Sequence, residues 1–142
     1  MTLARFTTPV ATATAEDSVL EAARTMRDRH VGCLVVLREG RSAGVLTDRD
    51  LVVRVIAAGR DPSKTKVHDF VTYDPITVSV DDGIQTAADQ MRRHGVRRLP
   101  LVDARGVVVG IVTADDLLVV LGSQLAAICE GIDNRSDADE SR

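Results

Sequence analysis

The sequence predicts an α/β protein made of two tandem β-α-β-β-α units, packed together with pseudo-twofold symmetry. Three observations predict it. The chain repeats itself at a spacing of 65 to 66 residues. Each repeat alternates between strand-like and helix-like hydrophobic periods in the same order. Its 142 residues, 44% hydrophobic and 27% charged, suit a small globular protein rather than a disordered chain.

The repeat is read directly from the residues. At a shift of 65, Thr12 falls on Thr77, Asp17 on Asp82, Ala22-Ala23 on Ala87-Ala88, Met26-Arg27 on Met91-Arg92, and Leu34 on Leu99. At a shift of 66, Gly40 meets Gly106, Gly44 meets Gly110, Thr47 meets Thr113, and Asp50-Leu51 meets Asp116-Leu117. The single-residue slip falls in a turn, where an insertion costs little.

Each copy opens with a short alternating stretch, as in Ile76, Val78 and Val80, which reads as a strand. A helix follows, with apolar residues at i, i+3, i+4 and i+7: Val19, Ala22, Ala23, Met26, and Ile84, Ala87, Ala88, Met91. Asp17 and Asp82 stand near its start, where a carboxylate suits unpaired N–H groups. Gly95 is the expected C-cap, with His30 in the equivalent place. Two strands joined by a glycine-containing turn come next, Leu34 to Leu37 with Ala43 to Leu46, and Leu99 to Val102 with Val107 to Val112. The second helix spans Asp48 to Ala58 in copy one and Ala114 to Glu130 in copy two; Gly59 and Pro62 stop the first. The expected units are therefore 1–66, including a link, and 67–130, followed by a polar, mobile tail at 131–142.

Composition narrows the function. Phe6, Phe70 and Tyr73 are the only aromatic residues, so the core is aliphatic and there is no stacking platform for single-stranded nucleic acid. A net charge of −3 disfavours a nonspecific grip on a polyanion. Cys33 and Cys129 form no C-x-x-C pair, and His30, His68 and His94 have no metal-ligand spacing. Cys33 reads as a small core residue, and an exposed, redox-active Cys129 is the weaker of that residue's readings. No apolar run is long enough to span a membrane, and the N-terminus lacks a signal-peptide pattern, so a reducing cytoplasm is expected. No Ser-His-Asp or Cys-His arrangement, Walker loop or catalytic carboxylate pair is visible, so no enzyme is expected.

One motif recurs with functional potential. Gly44-Val-Leu-Thr47-Asp48-Arg49-Asp50 and Gly110-Ile-Val-Thr113-Ala114-Asp115-Asp116 share the form Gly-apolar-apolar-Thr-x-x-Asp at a strand-to-helix passage. Free N–H groups and positive helix potential there suit a phosphate, and the aspartate can accept from ribose hydroxyls. Plain helix capping needs the same residues, close to the S/T-x-x-E box. Spacing alone leaves both readings open.

These motifs, with His94-Gly-Val-Arg-Arg-Leu-Pro-Leu-Val-Asp103, resemble a tandem pair of cystathionine-β-synthase (CBS) domains, often called a Bateman module. The resemblance runs from about Ala4 to Leu121, and the layout is similar to small stand-alone bacterial proteins of this kind. It implies adenine nucleotides (AMP, ADP, ATP) or S-adenosylmethionine bound as regulatory ligands in clefts between the copies. It assigns Thr47 with Asp50, and Thr113 with Asp116, to phosphate and ribose. It places adenine against Ala11, Thr12, Ala13, Cys33 and Leu34 at site one, and against Ile76, Thr77, Val78, Arg98, Leu99 and Pro100 at site two. Phe6 and Phe70 depart from the methionines often found in the family.

The copies differ where ligand choice is decided. Arg97-Arg98 of copy two replaces Gly32-Cys33 of copy one, and strand alternation sends the two arginines to opposite sides. Arg49 has Asp115 as its counterpart; the first attracts a phosphate and the second repels it. The second helices are apolar nearly all round, through Leu51, Val52, Val53, Val55 and Ile56, and Leu117 to Leu121. One face covers its sheet and the other calls for a homodimer. The expectation is a ligand-sensing regulatory protein acting on a separate effector protein. The alternative is a dimeric scaffold with empty or vestigial clefts.

Overall fold

The computed structural model describes residues 1–71 and 76–140, the last eight as backbone. Copy one contains β1 (Thr12–Thr14), α1 (Val19–Arg29), β2 (Cys33–Arg38), β3 (Arg41–Thr47) and α2 (Asp48–Leu51). Copy two contains β4 (Val78–Ser79), α3 (Ile84–His94), β5 (Arg98–Val102), β6 (Val108–Thr113) and α4 (Ala114–Glu140). Each copy forms a three-stranded sheet, ordered β1-β2-β3 or β4-β5-β6. The first pair in each is parallel and the second antiparallel. Both antiparallel pairs slip register at the same place, Val36/Leu37 and Leu101/Val102, so the duplication extends to the irregularity.

Local chemistry explains the elements. Ser18 caps α1 in a reciprocal box: its Oγ accepts from the Glu21 N–H at 3.1 Å, and the Glu21 carboxylate accepts from the Ser18 N–H at 2.7 Å. Asp17 and Asp82 do not cap the helices as expected. Their carboxylates accept from the N–H groups of Thr14 and Ser79, both at 2.8 Å, and so close the preceding turns. His30 and Gly95 both end their helices in the left-handed region, at φ 53° and 64°.

The second helices differ from expectation. α2 is regular only to Leu51, and Val52–Ile56 forms a π turn, with Ala57 N–H donating to Val52 C=O at 2.9 Å. This run is rich in β-branched residues, which weaken regular helix. The turn keeps Leu51 and Val55 on the core and leaves Val52, Val53 and Ile56 outside. α4 continues past Glu130 to Glu140.

Two aliphatic cores result, each between one sheet and its helices. Leu34, Val36 and Leu46 pack with Val19, Ala22 and Met26 in one; Leu99, Leu101 and Val112 pack with Ala87 and Met91 in the other. The chain crosses between them at its N-terminus and again in the link between the copies. Leu3 is fully buried in the second core, its N–H donating to Asp82 C=O at 2.8 Å, and Phe6 packs beside it. Val67, Phe70 and Val71 belong to the first core, and Arg54 donates to Phe70 C=O at 3.0 Å. The units therefore exchange their leading segments across the boundary expected at residue 66. Between the sheets, β3 lies against β5. Val35 is fully buried on the face opposite Leu34 and Val36, and its repeat partner Pro100 is also buried.

Candidate functional site

Each strand-to-helix corner is built the same way. Thr47 ends β3 in extended conformation, its Oγ1 accepting from the Asp50 N–H at 3.2 Å. The Asp50 Oδ2 accepts from both the N–H and the hydroxyl of Thr47, each at 2.9 Å. In copy two, Asp116 N–H donates to Thr113 Oγ1 at 3.1 Å, and Asp116 Oδ2 accepts from Thr113 N–H at 2.9 Å. The corners are tied down by Asp48 N–H to Gly32 C=O at 3.0 Å and Ala114 N–H to Arg97 C=O at 2.9 Å. Both motifs therefore act as caps. All four side chains are half-buried, and Oδ1 of each aspartate has no hydrogen bond among the described residues. The corners differ in one proton: the Thr47 hydroxyl donates to Asp50, whereas that of Thr113 has no such bond.

The copies meet at this corner. A cavity of about 190 Å³ is lined by Val45 and Thr47 of copy one and by Val96, Arg97 and Arg98 of copy two. The two arginines thus line a cavity with Thr47, across the interface, whereas Arg98 was expected beside Thr113 in its own copy. Strand alternation was expected to send the two arginines to opposite sides, but both line this cavity, because Arg97 precedes β5; Arg97 also pairs with Asp115 at 3.0 Å, both exposed. Arg98 is half-buried. Burial pushes the thiol of Cys33 up, while the charge of Arg98 pulls it down and that of Asp48 pushes it further up. Arg49 is exposed and does not line this cavity. Val45 and Val96 escaped the sequence reading; Val45 lies two residues before Thr47, on the same strand face.

Several residues expected to hold adenine are core residues instead. Leu34 and Leu99 are fully buried, Ala13 and Val78 nearly so, and Ala11 lies in the same core as Leu34. Their side chains face the helices because Ala13 and Val78 occupy the same inward position of the two leading strands. Pro100 is buried between the sheets. Thr12 is exposed, Cys33 is half-buried, and Ile76 packs against the second core. Thr77 lines a different cavity, with Arg41, Ser42, Val102 and Gly106. A larger cleft of about 380 Å³, near Thr14 to Glu16 and Leu37 to Gly40, contains none of the expected residues.

His68 pairs with Asp69 at 3.1 Å, and Cys129 is exposed on α4. Among the described residues no cluster of His, Cys, Asp or Glu could hold a metal, and no helix is long and apolar enough to cross a membrane.

Comparison with known proteins supplies the context. The family model for the CBS domain matches twice, at residues 4–57 and 67–123. The CBS domain-containing protein YhcV of Bacillus subtilis is 37% identical over 113 residues, covering 80% of this chain and 79% of that protein. An uncharacterized protein of Methanopyrus kandleri is 35% identical over 122 residues, and the match spans 85% of this chain but only 62% of that one. Among solved structures, a putative signal-transduction protein with CBS domains from Burkholderia ambifaria superposes with a TM-score of 0.74 at 26% identity, covering 85% and 93% of the two chains. The CBS domain pair of protein MJ0100, in complex with methylthioadenosine and S-adenosyl-L-methionine, does so with a TM-score of 0.75 at 25% identity, covering 87% and 98%.

Proposed function

The chain belongs to the CBS domain family as a tandem pair, and from that premise we propose that it is a non-enzymatic regulatory module binding an adenosine-type ligand between its copies. CBS domain pairs are generally regulatory, ligand-binding units. The observation that carries this reading is the cavity joining Thr47 to Arg97 and Arg98. A ligand phosphate there would touch a hydroxyl of one copy and two cations of the other. Such a ligand favours the relative orientation that brings both together, and a separate effector protein reads that orientation. The free Oδ1 of Asp50 or Asp116 is the group available to ribose hydroxyls. Bound S-adenosyl-L-methionine in the MJ0100 pair supports the adenosyl class. A reducing cytoplasm is the compartment this reading assumes.

The module acts as a homodimer through α2 and α4. Val52, Val53 and Ile56, and Leu118 and Val119, leave half or more of their surface exposed. Along α4, Leu118, Leu121, Leu125, Ile128 and Ile132 recur at alternating spacings of three and four, all exposed, which is the seam of a helix that pairs with another. The exposed apolar residues of the π turn after α2 end at Ile56, so α4 of a second copy matches this stripe along its length and Val52, Val53 and Ile56 extend the contact. Self-association of related chains is seen in the hexameric CBS-CP12 protein of cyanobacteria, which shares the fold at 22% identity.

Thermal unfolding with AMP, ADP, ATP or S-adenosylmethionine, each added alone, tests the reading. A ligand at 100 times its dissociation constant adds about 2.7 kcal/mol of stability. Loss of that gain in Asp50→Ala or Asp116→Ala assigns the site. A protein unmoved by all four ligands supports the second reading, a dimeric scaffold, which is favoured by the fact that both Thr-x-x-Asp corners already close as caps.

A further inference from the structure

We propose that the cavity between Arg41, Ser42 and Thr77 is an oxyanion site, separate from the Thr47 corner. It measures about 180 Å³ and lies between the copies, with Arg41 and Ser42 at the head of β3 facing Thr77, Val102 and Gly106 of copy two. Three observations lead to this assignment.

The first is charge. The Arg41 side chain reaches across the interface, its Nη1 lying 3.9 Å from where a Cβ on Gly106 would stand. Among the described residues no carboxylate pairs with it, and none of those lining the cavity is acidic. The neighbouring Asp103 is engaged in its own turn, accepting from the N–H groups of Arg105 and Val107.

The second is an orphaned hydroxyl. Ser42 is 7% exposed, and its Oγ has no hydrogen-bond partner. A buried polar group left unpaired costs free energy that a ligand oxygen would return.

The third comes from the duplication. The repeat partners of Arg41 and Ser42 are Val107 and Val108. The same strand, in the same fold, is built with two valines in copy two, so the fold demands neither the cation nor the hydroxyl. Only the cleft on the copy-one side carries them.

A guanidinium and two hydroxyls, with no carboxylate among the described lining residues, select a compact anion bearing oxygen acceptors. A phosphoryl group and a carboxylate share that chemistry. The inference does not rest on nucleotide binding, because neither Thr-x-x-Asp corner lines this cavity.

The test titrates the full chain with sodium phosphate and, separately, sodium acetate, at constant ionic strength against chloride, following thermal unfolding and calorimetric heats. The wild type is expected to give a saturable stabilisation with at least one anion. Phosphate alone identifies a phosphoryl ligand and acetate alone a carboxylate. Arg41→Val with Ser42→Val, which installs the residues of copy two, is expected to fold and to weaken the anion at least tenfold. Arg41→Gln and Ser42→Ala, made singly, serve if the double variant fails to fold. Arg92→Gln, which removes an exposed cation on α3 outside the cavities described, is expected to keep the wild-type response. A wild type that responds to neither anion, an undiminished response in the Arg41 and Ser42 variants, or loss of the response in Arg92→Gln would overturn the proposal.

Discussion

Gly110 lies directly against the backbone of Phe6: a Cβ on Gly110 would stand 2.5 Å from the Phe6 carbonyl oxygen. Thr7 bridges to Gly110, and Thr8 N–H donates to Val109 C=O at 3.0 Å. The N-terminal segment is thus a working part of copy two. Gly110→Ala is expected to push it away and to unseat Leu3, at a cost of about 1–3 kcal/mol. Urea denaturation measures the loss, and faster hydrogen exchange at Thr8 locates it. Unchanged exchange there would show that the segment tolerates the methyl group.

The capping corners make a prediction that needs no ligand. Thr47→Ala and Thr113→Ala each remove a side-chain acceptor from a helix start and are expected to cost about 1 kcal/mol. The two diverge once ligand is present. The Thr113 hydroxyl has its proton free for a ligand oxygen, whereas that of Thr47 is committed to Asp50. Under the proposed function, Thr113→Val therefore weakens its site more than Thr47→Val weakens the other, as calorimetric titration would resolve.

Asp115 pairs with Arg97, one of the two cations that line the cavity with Thr47, and so competes with an anion there. The pair is 3.0 Å apart with both side chains largely exposed, so Asp115→Ala should change stability by less than about 1 kcal/mol. It should nevertheless tighten a phosphate-bearing ligand near Thr47 several-fold, because a cation is released and an anion removed. The gain should shrink as salt rises. Titration at two ionic strengths checks both statements; a salt-independent gain would point away from charge.

The stripe on α4 predicts the assembly. Each chain weighs 15.3 kDa, and light scattering should return twice that for the wild type. Leu125→Glu with Ile128→Glu is expected to return the single-chain mass without loss of the folded core, since both residues are exposed. Ile56→Glu is expected to weaken the dimer as well, and a dimer mass retained by both variants would rule this interface out.

Acid reaches the fold through Glu21 together with Asp28, Asp61 and Asp103, whose carboxyls are also held below their ordinary values by hydrogen bonds. The Glu21 carboxyl is held below the ordinary value of 4.5, chiefly by the Ser18 backbone N–H and then by the Ser18 hydroxyl. A lowered carboxylate pKa contributes stability that is present above its unfolded value and is lost as pH falls through the folded one. Wild-type stability should therefore decline on acidification below about pH 4.5. Glu21→Gln should flatten that part of the profile in a series of denaturant midpoints against pH.

Much of this architecture is written in near-neighbour chemistry. The repeat of Thr47 and Asp50 in Thr113 and Asp116 announced two equivalent corners. The spacing of Val19, Ala22 and Met26 announced a helix with one buried face, and His30 and Gly95 announced where the helices end. Such features depend on residues within a turn or two of each other, so they survive in the sequence alone. The wider π turn after Leu51 did not show, because a β-branched run weakens regular helix without naming its replacement.

What only the tertiary structure decided is which copy completes which site. A duplicated chain is equally consistent with corners that face their own strands and corners that face the other copy's. The choice depends on how the two sheets are rotated against one another and on where the chain crosses between them. That arrangement placed Thr47 opposite Arg97 and Arg98, seated Leu3 in the second core and Val67 in the first, and left Ser42 buried without a partner. The sequence by itself determined the elements and their order; the packing of two aliphatic sheets, face to face, determined which of their residues share a cavity.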